Sequence, residues 1–189
     1  MVEQFHPELK VNRYTDLLRL PVSVSAFNLS FAPTKTHSTK GSFESMFRKI
    51  MATSSSWVPA PLRLALAAIF IGHGAQKVLG SFGGPGLAKF TSFPAPFAFM
   101  RPAWLWMSLA AFGELIGAIL VLLGFLTRVG AFLIGFTMAV AIIGVHLSKG
   151  FFAPAGYEYP LALFGMCLAL LISGGGMASI DRSFSGGRR

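Results

Sequence analysis

Cysteine is almost absent from this chain of 189 residues, which contains one, Cys167. A single cysteine cannot form an intrachain disulfide or a two-cysteine relay, which argues against a thiol–disulfide oxidoreductase. The sequence also lacks a CxxC pair, a CxxCH haem-attachment motif, a phosphate-binding loop and a GxGxxG motif after a strand. These absences remove most soluble cofactor enzymes. Cys167 lies in an apolar run, and we interpret it as a packed core residue.

Acidic residues are scarce as well. The chain has 7 Asp and Glu against 16 Lys and Arg, and charged residues make up only 12% of it. The formal net charge of +9 would suggest a nucleic-acid partner if the protein were soluble. However, 53% of the residues are hydrophobic, which is typical of membrane proteins. We therefore attribute the basic excess to orientation in a membrane and predict no nucleic-acid partner.

Four apolar stretches are long enough to cross a bilayer at about 1.5 Å of rise per residue. They cover about residues 62–79, 103–126, 129–147 and 159–177. Thr127-Arg128 is a very short connection, so the second and third stretches must be antiparallel neighbours. The denser flanking positive charge, which includes Arg63 and Arg182, lies on the side of the two termini. The sequence thus predicts an all-α, antiparallel four-helix membrane bundle with both termini in the cytoplasm.

The segments outside these stretches differ from them in composition. Residues 1–56 alternate Ser, Thr and short apolar clusters without a sustained period, and we predict that they are a disordered leader. An alternative is that translation begins at Met46 or Met51. Residues 57–182 then form the transmembrane domain, and residues 183–189 form a basic C-terminal tail.

One carboxylate, Glu114, lies near the middle of the second stretch. An ionised group at mid-bilayer costs at least about 2.5 kcal/mol, so Glu114 should face other helices, which supply its partner. Further polar residues fall in the same outer half of the predicted bundle: His73, Gln76, Lys77, His146 and Glu158. This one-sided distribution predicts a polar pocket that opens toward the outer leaflet, with Glu114 at its floor.

Two interpretations of this set remain open. In the structural one, Glu114 is protonated or pairs with Lys77 or His73, and the network only holds the helices together. In the functional one, Glu114 and His73 are the catalytic residues of a proton relay, because histidine titrates near neutral pH. The remaining members would bind the substrate: Lys77, His146, Glu158 and Gln76. No two of these residues have the spacing of metal ligands on one helical turn, so we predict no metal.

The order and spacing of several short motifs resemble the DoxX family. The motifs are Gly74 with Lys77, Gly83-Gly84-Pro85-Gly86, Glu114 with Gly117, Leu123-Gly124, Thr127-Arg128, His146 with Lys149-Gly150-Phe151, Glu158, Gly174-Gly175-Gly176, and Ser179-Ile180-Asp181. The resemblance covers about residues 61–182. It implies a four-helix protein of the bacterial cytoplasmic membrane, whose family polar residues correspond to Lys77, Glu114, His146, Glu158 and Asp181.

The resemblance also implies a function. DoxX-like proteins are linked with quinone-coupled oxidoreductase complexes and with oxidative-stress assemblies that include soluble partners. We therefore predict an accessory or quinone-interacting subunit of a membrane oxidoreductase, with a quinone as the candidate cofactor and no covalently bound one. The expected partners are the lipid bilayer and membrane or soluble redox proteins, and a homo-oligomer stays open. The alternatives are a small-molecule transporter or binding protein that uses the same pocket, and a scaffold without chemistry of its own.

Overall fold

The computed structural model describes residues 39–152 and 154–185, with side chains from residue 44 onward. These residues form helices and turns and contain no strand. The helices are α1 (Thr39–Ile50), α2 (Pro59–Leu79), α3 (Gly86–Thr91), α4 (Ala103–Leu123), α5 (Thr127–Ala141), α6 (Glu158–Ser173) and α7 (Ile180–Phe184). The axis of α5 continues through a π-helical turn, Ile142–His146, and a 3₁₀ turn, Leu147–Lys149.

Three of the helical segments in the described part of the chain are long and apolar enough to cross a membrane. They are Pro59–Leu79, Ala103–Leu123 and Thr127–Lys149. The fourth predicted stretch forms α6, which is apolar but has 16 residues. It ends at Ser173 and not near residue 177, because Gly174 leaves the helical conformation with a φ of +69°.

The second predicted stretch is also shorter than expected. Helix α4 ends at Leu123, where Gly124 takes the left-handed conformation with a φ of +65° and its amide bonds back to Leu120 and Val121. The turn therefore consists of residues 124–126, and Thr127 and Arg128 already belong to α5. A side chain at position 124 would place its Cβ 2.6 Å from the Arg63 guanidinium, so glycine satisfies both the conformation and the space.

The helices pack in the order α2 on α4, α4 on α5 and α5 on α6, and α6 returns to α2. Their shared core is apolar and contains Leu66, Phe70, Ala118, Val121, Ala131, Ile134, Met138, Leu163, Cys167 and Leu170. Cys167 is fully buried, which confirms its interpretation as a core residue. Large apolar side chains also cover the outside of all four helices, for example Leu64, Ile116, Phe132 and Ile172. Such a surface is suited to acyl chains.

The predicted leader lies mostly outside the described residues. Its described part contains α1, a helix that the sequence analysis does not anticipate. Just after α1, the Met51 side chain is buried, and the Ser54 amide donates to the Ser173 carbonyl at the end of α6. At the other end of the chain, α7 crosses the predicted boundary at residue 183, and residues 186–189 of the tail lie outside the described part.

Candidate functional site

Lys77 and Glu114 form an ion pair between α2 and α4. The Glu114 residue is 3% exposed although it is a carboxylate, and Lys77 Nζ donates to its Oε2 atom. The helices come close because Gly74 has no side chain: a Cβ there would lie 2.8 Å from the Cα of Leu115. Lys77 Nζ also lies 5.4 Å from the ring centroid of Phe90 in α3, within the range of a cation–π contact.

The ion pair forms part of the wall of a cavity of about 400 Å³ between α3, α4 and α5. Aromatic and aliphatic side chains make up most of the lining, among them Phe90, Trp106 and Phe136. Lys77 and Glu114 are the charged residues in this lining, and Thr137 contributes a hydroxyl group. The site therefore combines an apolar cavity with one cation, Lys77, and one anion, Glu114. Such a cavity suits a ligand with a mostly apolar body and a few polar atoms.

The predicted contact between His73 and Glu114 is not made. His73 is exposed, and its ring packs 6.5 Å from that of Phe70, centroid to centroid. Among the described residues, the hydrogen bonds of Glu114 lead only to Lys77, whose longer side chain reaches it from one helical turn further along α2. The partner of the Glu114 carboxylate is therefore Lys77 and not His73. Gln76 does not line the cavity either; it lies under the following loop, where a Cβ on Gly84 would be 2.5 Å from the Gln76 Cα.

His146 and Glu158 also lie outside the cavity lining. His146 Nδ1 donates to the carbonyl of Ala155 at 2.8 Å, so the ring ties the end of the α5 axis to the loop before α6. Glu158 is the first residue of α6, and its amide donates to the carbonyl of Phe151 in the same loop. Of the four residues predicted to bind substrate, the structure thus places only Lys77 at the cavity.

A second polar cluster, at the opposite end of the helices, was not recognised from the sequence as a site. Arg63 is 5% exposed and donates through Nε to Val121 at 2.8 Å and through its NH2 group to Leu122 at 2.7 Å. Its NH1 group donates to the carbonyls of Gly175 and Ala178 after α6. Arg63 thereby bonds to carbonyls in the last turn of α4 and ties them to the α6–α7 loop.

Asp181 belongs to the same cluster and caps α5. It is 1% exposed, its Oδ1 accepts from the Leu126 amide at 2.7 Å, and its Oδ2 accepts from the Thr127 amide at 2.9 Å. A carboxylate at a helix N-terminus is stabilised by the free amides and by the helix dipole. The cluster joins α2 to the end of α4 and α7 to the start of α5, which is a structural role.

Metal-competent side chains do not gather in groups of three or more anywhere in the described ranges.

The fold and the site define a helical membrane protein with an apolar cavity whose wall contains a part-buried ion pair. The DoxX family model matches residues 58–147, which include both charged residues of the cavity. The chain is also 33% identical over 115 residues to a Bacillus subtilis (strain 168) protein named "Putative oxidoreductase CatD", a match that covers 58% of this chain and 75% of that relative. This chain belongs to the DoxX family and is an integral membrane protein. No solved structure gives a significant match.

Proposed function

We propose that this protein is a membrane subunit of an oxidoreductase complex and that its cavity binds the head group of a quinone. The observation that carries the proposal is the Lys77–Glu114 pair in the wall of an apolar cavity of about 400 Å³. The similarity to a protein named as an oxidoreductase supports the reaction class.

The size and lining of the cavity favour such a ligand. Small-molecule pockets have volumes of about 300–1,000 Å³ and consist mostly of apolar surface with a few polar groups that fix orientation. A quinone ring is flat and apolar and carries two carbonyl oxygens as acceptors. The rings of Phe90, Trp106 and Phe136 provide surfaces against which it can stack.

Each charged residue then has a distinct task. With a quinone bound, the Lys77 ammonium group would donate a hydrogen bond to one carbonyl oxygen, and Glu114 would keep that ammonium group in place. Reduction of a quinone to a quinol takes up two electrons and two protons, one proton on each oxygen. A partner redox protein would supply the electrons, Lys77 would give a proton to the oxygen that it holds, and water would supply the proton on the other oxygen. His73, exposed one turn before Lys77, would exchange with water the proton that Lys77 loses.

The proposed topology has four spans, with α2, α4, the α5 axis and α6 crossing the bacterial cytoplasmic membrane and both termini in the cytoplasm. Helix α6 reaches about 24 Å, against about 30 Å of hydrocarbon, and local bilayer thinning accommodates the difference. The end that holds α1 and α7 carries exposed or half-buried basic residues, namely Arg48, Lys49, Arg128 and Arg182. At the other end, Lys89, Arg101 and Lys149 are exposed, and Glu114 neutralises Lys77, so the positive charge is denser at the end of α1 and α7. A reporter that is active only outside the cytoplasm, fused after Arg189, should be silent; strong activity would refute this topology.

Quinone binding can be measured through Trp106. Trp57 and Trp104 are 65% and 59% exposed, so replacing both by phenylalanine leaves the cavity tryptophan as the only reporter. A short-chain quinone analogue should quench its fluorescence saturably. Removing a hydrogen bond to a charged donor costs about 1.5–3 kcal/mol, so Lys77→Gln should weaken binding by roughly 10- to 100-fold.

The matched control is Lys89→Gln, which removes a lysine that does not line the cavity. Glu114→Gln is the second cavity variant. Its control is Glu158→Gln, and this control should leave the quenching unchanged. Quenching that is insensitive to both cavity variants would refute the proposed site. Purification from native membranes then tests the complex: we expect a redox partner and a quinone to co-purify, whereas solute flux through liposomes of the pure protein would favour a transporter.

A further inference from the structure

A second, smaller groove lies at the end of the molecule opposite the ion pair, between α1 and the start of α5. We call it the basic groove; its lining is Met46, Lys49, Ile50, Arg128, Val129 and Phe132. Its volume is about 340 Å³. It shares no residue with the cavity around Lys77 and Glu114. Its function can therefore be tested separately from the proposed function.

The two cations of the basic groove have no acidic partner. Within the described part of the chain, the one ion pair is Lys77–Glu114, so neither Lys49 nor Arg128 is neutralised there. Arg128 donates one hydrogen bond, from NH2 to the Ile172 carbonyl at 3.0 Å, and its Nε has no partner in that part. The groove thus offers two positive charges with unused donors, which is an arrangement that attracts an anion.

The rest of the lining indicates what kind of anion fits. The other four lining residues are apolar, and Met46 and Phe132 are 53% and 58% exposed. A soluble anion would gain nothing from these side chains, whereas an acyl chain would cover them. Arginine and lysine at the ends of membrane helices lie at the level of lipid head groups, with apolar residues deeper in the bilayer. Charge and apolar surface therefore both match a phospholipid.

We propose that the basic groove binds an anionic phospholipid, with its phosphate on Lys49 and Arg128 and an acyl chain on Met46 and Phe132. Bound there, the lipid would fasten α1 against α5. The proposed topology places this groove at the cytoplasmic leaflet. That leaflet attracts basic segments in general, because its anionic lipids give it a negative surface potential. The groove adds specificity to this attraction, since two cations line the same groove.

The test is a lipid titration of the purified full-length protein, followed by native mass spectrometry. Phosphatidylglycerol should bind more tightly than phosphatidylcholine of the same chain length. One basic residue near an anionic membrane contributes about 1 kcal/mol, so Lys49→Gln should weaken phosphatidylglycerol binding roughly fivefold. Arg128→Gln should have a similar effect. Lys149→Gln, an exposed lysine at the opposite end of the α5 axis, is the matched control and should bind as the unmodified protein does.

Several outcomes would overturn the proposal. Equal binding of the two lipids would exclude recognition of the anionic head group. Glycerol phosphate that competes as strongly as the whole lipid would assign the groove to a soluble anion. If Arg128→Gln does not fold, Lys49→Gln decides alone, because Lys49 is exposed and its side chain makes no hydrogen bond to the described residues; unchanged affinity in that variant would refute the site.

Discussion

Replacing Arg63 by lysine separates two roles that this residue could have. As a flanking charge that sets membrane orientation, arginine is equivalent to lysine, and the variant should behave as the original protein does. The structure instead buries Arg63 and joins its guanidinium group to four carbonyl oxygens on two separate segments. In this arrangement the fork shape of the guanidinium matters, and a lysine ammonium group cannot replace it.

The size of the effect follows from the hydrogen bonds that are lost. The Arg63 group reaches Val121 and Leu122 at the end of α4, and Gly175 and Ala178 after α6. A single ammonium nitrogen can serve one of these segments, so at least two bonds are lost. Each bond to a charged donor contributes about 1.5–3 kcal/mol, and water recovers part of that. We expect Arg63→Lys to lower the free energy of unfolding by about 2–4 kcal/mol, and Arg63→Met to lower it further.

The assay is the free energy of unfolding in mixed micelles titrated with SDS. Arg48→Lys is the control, because Arg48 is exposed on α1 at the same end of the molecule, and it should change stability by less than about 0.5 kcal/mol. A reporter fused after Arg189 shows in parallel whether the orientation changes. Equal stability of the Arg63→Lys variant and the original protein would refute the capping role and return Arg63 to a purely topological one.

Three further predictions use the same unfolding assay. Asp181→Asn should cost about 1–2 kcal/mol, because a neutral amide caps α5 less well than a carboxylate, and no loss would contradict the cap. Gly74→Ala should lower the free energy of unfolding by about 1–3 kcal/mol, because the new Cβ would press on α4. Its control is Gly72→Ala, whose Cβ would have nothing within 4 Å and which should be neutral or stabilising. Lys77→Met should lower the free energy of unfolding by about 3–5 kcal/mol, because it leaves Glu114 unpaired. Adding Glu114→Gln to this variant should restore part of the lost stability. A double variant that is less stable than Lys77→Met would contradict this reasoning.

The sequence predicts much of the helical architecture because length and hydropathy are local properties. It predicts the three long helices and the burial of Glu114, since a charge at lipid depth must face protein. It misplaces helix ends where a glycine stops the helix inside an apolar run, as Gly124 and Gly174 do. A hydropathy pattern does not change at such a residue, whereas its backbone conformation does.

The candidate site shows a different limit of sequence analysis. Depth and helical spacing place His73 and Lys77 on one face, but they do not show which side chain reaches Glu114. The close approach of α2 and α4 at Gly74 and the length of the lysine side chain decide in favour of Lys77. His146 and Glu158 share the predicted depth, yet neither lines the cavity, and the His146 ring and the Glu158 amide bond to the loop before α6. Depth alone therefore predicts the neighbourhood of a polar residue but not its contacts.

The structural and functional interpretations of the Lys77–Glu114 pair are compatible, because the pair lies in the wall of the cavity. A buried ion pair adds little net stability, since desolvation of both charges offsets most of their attraction. Well-packed apolar side chains could hold α2 and α4 together equally well. One side of the pair faces an apolar cavity in which a ligand would find both a proton donor and an acceptor. Stability and quinone affinity should therefore separate in the double variant Lys77→Met with Glu114→Gln, which should recover folding without recovering binding. Recovery of both would mean that the pair only joins the helices.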